Sequence, residues 1–241
     1  MIEDDSKWVN GYFAASSIDL TPVTLRQATH VKYVPVSHDP EVTRRCATVL
    51  SDTELQRADR FATRGDKTLY IQRRAFRRFC GALTLGSKRP LSQIEFNETE
   101  YGRPYLANLP DYWFSFSSCH FGFVGAWSST HGVGVDLEDQ TRDLEASELA
   151  RQYFSEDEAR AVEVSDGLAM RTFFQFWSLK EAALKSIGRG LPFGLDAFEF
   201  KLEPNPHIVG VSPGHGTTGQ FMAHFIGGPE SCTAVVIRSM T

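Results

Sequence analysis

Three features of the chain predict an α+β fold. Helical and extended runs occur in separate blocks, which favours segregated helices and antiparallel strands over a doubly wound sheet. No glycine-rich phosphate loop opens a helix after a strand. The 241 residues, 41% hydrophobic and 23% charged, are ample for a sizeable core and sit near the soluble globular average.

Residues 1–30 scatter isolated apolar side chains without a sustained period and read as an irregular lead-in. HVKYVPV (30–36) alternates as a first strand. Ser51, Asp52 and Thr53 before Glu54 and Leu55 mark a helix start, and Asp66 is the expected cap of a longer helix, KTLYIQRRAFRRFCGAL (67–83), that ends at Gly86. In that helix Leu69, Ile71, Ala75, Phe76, Phe79 and Leu83 approximate the apolar stripe, with Arg73, Arg74, Arg77 and Arg78 beside it.

IEFNETEYGRPYL (94–106) reads as a strand, a turn at Tyr101-Gly102-Arg103-Pro104 and a short extended piece. YWFSFSSCHFGFVGAW (112–127) and VGVDLED (133–139) predict a hairpin with its loop near Ser128 to Gly132. Helices are expected over 143–153 and 155–164, and a third from about Leu168 to Ile187, stopped by Gly188 and Gly190. FEFKLE (198–203), GQFMAHFI (219–226) and CTAVVI (232–237) close the chain as strands. The two halves share an element order without a residue-level repeat, which predicts subdomains over 1–130 and 131–241.

The acidic opening MIEDDSKWVN and the lack of an apolar stretch near the roughly 18 to 20 residues of a membrane span argue for a cytosolic protein with no membrane partner. Cys46, Cys80, Cys119 and Cys232 form no CxxC pair, so neither a zinc knuckle nor a disulfide scaffold is expected. The net charge of −5 is segregated: residues 57–89 carry +8 and residues 135–166 carry −8.

Three constellations carry chemistry. In GVGVDLED (132–139), Asp136 and Glu138 leave the same face of an extended strand, within about 7 Å of each other. Two carboxylates so placed suit a hard divalent ion such as Mg²⁺ with phosphate oxygens, and a solvated acidic strand edge would read the same way. In FWSLKEAALKSIGRGL (176–191), Trp177, Lys180, Glu181, Leu184 and Lys185 fall on one helical stripe that an ordinary amphipathic helix would keep apolar. The alternative there is snorkelling lysines beside a buried indole. Third, the guanidiniums around Arg73 and Arg77, with Arg64, Lys67 and Arg103, suit phosphate oxygens. The acidic overall balance argues against nucleic acid.

In order and spacing, YGRPYL (101–106), FSFSSCH (114–120), GVGVDLED (132–139), YFSEDE (153–158) and FWSLKEAALKSIGRGL (176–191) resemble the 4'-phosphopantetheinyl transferases of the larger, monomeric type, over roughly residues 30–240. The run LSDTELQRADRF (50–61) also looks like a basic helix of that family. The resemblance implies two similar subdomains in pseudo-twofold arrangement with coenzyme A between them, its 3'-phosphate on the N-terminal side and the metal and catalytic carboxylates on the C-terminal side. It implies transfer of the phosphopantetheine arm to a serine of an apo carrier protein, releasing adenosine 3',5'-bisphosphate.

Carried over residue by residue, it implies that Asp136, Glu138 and Glu181 bind Mg²⁺ and that Glu181 takes the serine proton, directly or through water. It implies that Lys180 contacts phosphate or assists proton transfer, that Arg73 and Arg77 lie near the 3'-phosphate, and that Arg103 and Lys185 help bind coenzyme A. Glu158 falls on a family glutamate near the metal. Ser118 occupies the column of the family's phosphate-contacting histidine, and His120 lies two residues later, on the same face if the strand stays regular. His120 is therefore the candidate to reach the pyrophosphate instead, against a packed or exposed imidazole with no ligand contact. Lys185, Arg189 and the turn from Gly188 to Leu191 are expected to form a basic lip for an acidic carrier. The rival readings are another Mg²⁺-dependent phosphotransferase or hydrolase and a non-catalytic coenzyme A-binding relative.

Overall fold

The computed structural model describes residues 2–21, 29–86, 89–190, 194–226 and 231–240. The chain opens on a helix rather than an irregular lead-in. α1 (Ile2–Ser16) buries Ser6, Val9 and Phe13, spaced i, i+3 and i+7. A stripe beginning with a serine hides from a hydrophobic scan, and here the Ser6 hydroxyl accepts the Leu91 N–H at 2.6 Å.

The first sheet holds β1 (Ile18–Asp19), β2 (Thr29–Pro35), β5 (Trp113–Cys119) and β6 (Gly122–Ser128) in the antiparallel order β1-β2-β6-β5. Between β2 and β5 the chain forms α2 (Pro40–Ala47), α3 (Asp52–Ala58), α4 (Arg64–Leu85) and a ribbon of β3 (Asn97–Glu98) with β4 (Pro104–Tyr105). Asp39 caps α2, and Ser51 with Glu54 forms a capping box on α3. α4 is capped by Thr63, three residues before the expected Asp66, which sits at the third helical position and accepts the Thr63 hydroxyl. Gly86 ends α4 at φ 55°, in the left-handed region.

β7 (His131–Asp139) corrects the expected hairpin. The hairpin is β5–β6, turning at His120 and Phe121, whereas the chain after Ser128 leaves the first sheet and enters a second. That sheet is antiparallel, in the order β10-β11-β7, with β10 (Phe221–Phe225) and β11 (Ser231–Ser239). α5 (Ala146–Tyr153), α6 (Glu156–Glu163), α7 (Ala169–Ser186) and a ribbon of β8 (Phe198–Lys201) with β9 (His207–Val211) lie between β7 and β10. β9 was not anticipated, because its five residues alternate too briefly to stand out between proline-rich and glycine-rich flanks.

Three apolar clusters hold this arrangement. One joins α1, α2 and α4 to the first sheet through Phe13, Phe76, Phe79, Phe114 and Phe123. A second wraps α7 with Phe154, Phe173, Phe198 and Phe200. The third lies where the sheets meet, uniting Val31, Val124 and Ala126 with Val133, Val135, Leu137, Val235 and Ile237. β6 and most of β7 are buried on both faces, which is why GFVGAW in β6 and GVGV in β7 read as apolar runs without alternation.

One contact positions the site. A Cβ on Gly134 would collide with the Ala182 carbonyl oxygen and stand 2.6 Å from the Ser186 nitrogen, and one on Gly132 would collide with the Ser186 carbonyl oxygen. The two glycines thus let the α7 backbone rest directly on β7, two residues before Asp136.

Candidate active site between β7 and α7

That close approach brings the acidic end of β7 beside one face of α7. Lys185 Nζ lies 2.6 Å from Asp136 Oδ1, 3.4 Å from Glu181 Oε2 and 3.2 Å from the Val135 carbonyl oxygen. Asp136 Oδ1 also accepts the Ser117 hydroxyl at 2.8 Å, while Asp136 Oδ2 is buried without a partner. Ser115, two residues before Ser117 on β5, accepts the Val135 N–H at 3.0 Å, so alternate serines of the first sheet stitch onto β7. Glu181 Oε1 accepts the Trp177 indole N–H at 3.1 Å. Glu138 pairs with Arg142, one helical turn along in sequence spacing, and Arg142 stacks over Phe174.

The three carboxylates feel each other's charge. Burial, then Asp136, pushes the Glu138 carboxyl up to about 8, with Glu181 adding to the rise and Arg142 opposing it. Burial and Asp136 likewise raise Glu181, against Lys185. For Lys185 burial acts downward, and Asp136 and Glu181 outweigh it and raise the ammonium.

Among the described residues, no group of three His, Cys, Asp or Glu side chains stands close enough to hold a metal ion in this arrangement. The donor set nonetheless fits a hard divalent cation. Asp136 Oδ2 is an orphaned buried oxygen, and Glu138 and Glu181 are acids whose ionisation a nearby cation would relieve.

Beside the acids lies a cationic cavity of about 150 Å³ lined by Arg77, Arg103, Lys185 and Arg189 with the 101–104 turn. Arg77 is drawn down to about 10 by burial and by Arg74 and Arg73, and its Nε has no partner. Arg103 stacks over Trp113 at 4.2 Å, and the Trp113 indole N–H donates to the Lys185 carbonyl at 3.4 Å. Arg73 donates to the Ser118 hydroxyl at 3.3 Å. Arg74 and Arg78 are instead spent on Glu54 of α3.

Several expected placements are corrected. Lys180 is fully buried, not on the site face. Its Nζ lies 2.7 Å from Glu158 and donates to the carbonyls of Leu195 and Phe198, so it has no free donor to offer a phosphate. Glu158 is equally buried, accepting the Ser155 and Phe200 N–H groups, and belongs to this knot of α6, α7 and β8 rather than to the acidic cluster. The single stripe read from 177 to 185 therefore splits: Lys180 and Leu184 face the core, while Trp177, Glu181 and Lys185 face the site. His120 lies in the β5–β6 turn rather than on the strand, with Nδ1 3.1 Å from Asp139, so it does not share the Ser118 face. Of the expected lip, Lys185 points inward, Arg189 lies over Tyr101 at 3.8 Å, and Leu191 falls outside the described residues.

Sequence reasoning missed Ser117, Ser115, Trp113 and Arg142 as site neighbours. The i+2 spacing of the serines on a strand was the available signal; Arg142, in the loop after β7, had none.

Residues 132–227 match the family model of the 4'-phosphopantetheinyl transferase superfamily. The chain is similar to 4'-phosphopantetheinyl transferase Sfp of Bacillus subtilis (strain 168), 31% identical over 118 residues that cover 48% of this chain and 51% of that one. It is also similar to 4'-phosphopantetheinyl transferase HetI of Nostoc sp., 28% identical over 186 residues, 75% of this chain and 76% of that one. A crystal structure of Thermotoga maritima holo-[acyl-carrier-protein] synthase overlaps with a TM-score of 0.40 at 21% identity, covering 46% of this chain and 64% of that one. The chain thus spans about half the length of the first of these relatives.

Proposed function

We propose, from the match of residues 132–227 to the family model of the 4'-phosphopantetheinyl transferase superfamily, that this chain transfers the 4'-phosphopantetheine arm of coenzyme A to a serine hydroxyl of an apo carrier protein. Adenosine 3',5'-bisphosphate is the other product. The observation that carries the reading is the pairing of an acidic cluster, Asp136, Glu138 and Glu181, with an arginine-lined cavity through one shared residue, Lys185.

Asp136, Glu138 and Glu181 would hold Mg²⁺. Bound there, the ion neutralises charge that develops on the leaving bisphosphate. Arg77, Arg103 and Lys185 bind the phosphates of coenzyme A in the cavity, and Arg73 with Ser118 extends that surface along α4 and β5. The carrier serine oxygen forms a bond to the β-phosphorus, the bond from that phosphorus to the bridging oxygen breaks, and the bisphosphate departs with the electron pair. The serine proton goes to Glu181, directly or through a water. Trp177 fixes one Glu181 oxygen, which orients the carboxylate for that transfer. Lys180 and Glu158 take no part in this chemistry.

The same reading assigns the 3'-phosphate side of coenzyme A to residues 1–130 and the acidic cluster to residues 131–241. It makes the protein a cytoplasmic monomer acting on carriers of fatty acid, polyketide or nonribosomal peptide assembly.

The test is incubation of apo carrier domains with the protein, coenzyme A and Mg²⁺, read by mass spectrometry. The carrier should gain the phosphopantetheine mass. Asp136→Ala and Glu181→Ala should each slow loading at least about a hundredfold, the loss typical of removing a preorganised charge stabiliser. Near-normal loading in both variants would overturn the site. Bound coenzyme A with no loading of any carrier would instead support a non-catalytic relative, the reading favoured by Ser118 in the histidine column.

A further inference from the structure

We propose that the Lys185 ammonium is the resident counter-ion of the acidic cluster when no metal is bound, and that a divalent ion enters as Lys185 withdraws toward the arginine-lined cavity. This rests on the metal-dependent reading above and adds an exchange of cations that couples ion binding to anion binding.

The ammonium sits where a bridging cation would sit. Its acceptors come from both walls of the site, Asp136 and the Val135 carbonyl on β7 and Glu181 on α7. Asp136 is only 2% exposed. Its Oδ1 is occupied by Ser117 and Lys185, whereas its buried Oδ2 has no donor. A buried carboxylate oxygen left bare has lost its water without a replacement, so Oδ2 is a ligand position held in reserve.

Charge balance calls for the exchange. With Glu138 holding its proton, the acids balance Lys185 and Arg142; a divalent ion that displaces that proton would leave the set of three carboxylates, Lys185 and Arg142 with one positive charge. Departure of one ammonium restores neutrality. Lys185 is the cation able to leave. Its stem is flexible, its side chain is 23% exposed, and it already lines the cavity shared with Arg77, Arg103 and Arg189. An anion in that cavity rewards the move. Cation and anion therefore bind cooperatively, each strengthening the other by the same factor.

Mn²⁺ binding to the full chain without coenzyme A, followed by loss of the free-ion electron paramagnetic resonance signal, tests this. Lys185→Met should bind Mn²⁺ about tenfold or more tightly than wild type, within the range usual for linked sites, and Lys185→Arg should stay as weak as wild type. Sulfate exchanged for chloride at equal ionic strength should tighten Mn²⁺ binding to wild type severalfold and leave Lys185→Met unchanged. Circular dichroism checks folding, with Lys185→Gln replacing the methionine variant if that one does not fold.

Equal or weaker Mn²⁺ binding by the folded neutral variant, no Mn²⁺ binding by any of them, or the same sulfate effect in both would overturn the exchange. Carrier loading by wild type alongside such a result would leave the transferase reading standing. Tighter Mn²⁺ binding by the neutral variant with no loading of any carrier would sink the transferase reading alone.

Discussion

Glu138 is a carboxylate whose ionisation the folded chain resists, through burial first and Asp136 second, so that its proton is held up to about pH 8 instead of the ordinary 4.5. Between those values the folded chain keeps a proton that the unfolded chain releases, and linkage then makes stability fall as pH rises through the window. His224 acts in the opposite sense, because burial lowers its pKa and so favours the folded state as pH rises toward the ordinary histidine value of 6.5. The comparison of wild type with Glu138→Gln isolates the carboxylate. In ion-free buffer the thermal midpoint of wild type should decline more steeply from pH 5 to pH 8 than that of the variant. Parallel curves from calorimetry would count against a strained Glu138.

At the scale of elements, the Lys180–Glu158 pair ties α7 to α6 and to the start of β8. Breaking a buried pair by removing one partner costs about 3–5 kcal/mol, whereas replacing both with apolar side chains is often near neutral. Lys180→Met or Glu158→Gln should therefore lower the urea midpoint sharply, and the double variant Lys180→Met, Glu158→Leu should recover much of it. Loading per folded molecule should stay within severalfold of wild type in the double variant; a hundredfold loss there would restore a chemical role to Lys180.

This pair also shows where the sequence stopped being legible. The shared strand face of Asp136 and Glu138 was legible from spacing and the part of Glu181 only from the family resemblance, while α4 announced itself through its apolar stripe and α7 through its glycine stop. Helical spacing places Lys180 and Glu181 one residue apart but does not say which of two adjacent faces meets the core; partners distant in the chain, at 158, 195 and 198, decide that. The serine in the stripe of α1 and the crossing from β6 to β7 were opaque for the same reason. A polar residue joined a buried face, and two adjacent strands paired with different neighbours.

For the molecule as a whole, the cluster shared by the two sheets makes the sheets depend on each other. Val31, Val124 and Ala126 from one sheet pack with Val133, Val135, Val235 and Ile237 from the other, all fully buried. Heating should give one calorimetric transition. Val124→Ala and Val235→Ala, from opposite sheets, should each lower that same transition by about 2 kcal/mol, between the usual costs of Ile→Val and Leu→Ala. Two resolved transitions, each sensitive to only one substitution, would contradict this coupling.

The bare contact of Gly132 and Gly134 with α7 has a last consequence. The span across the acidic cluster is gauged by main chain against main chain, like a spacer of fixed thickness. A single methyl group added at Gly134 would prise apart Glu181 and Asp136 while leaving every charged residue in place.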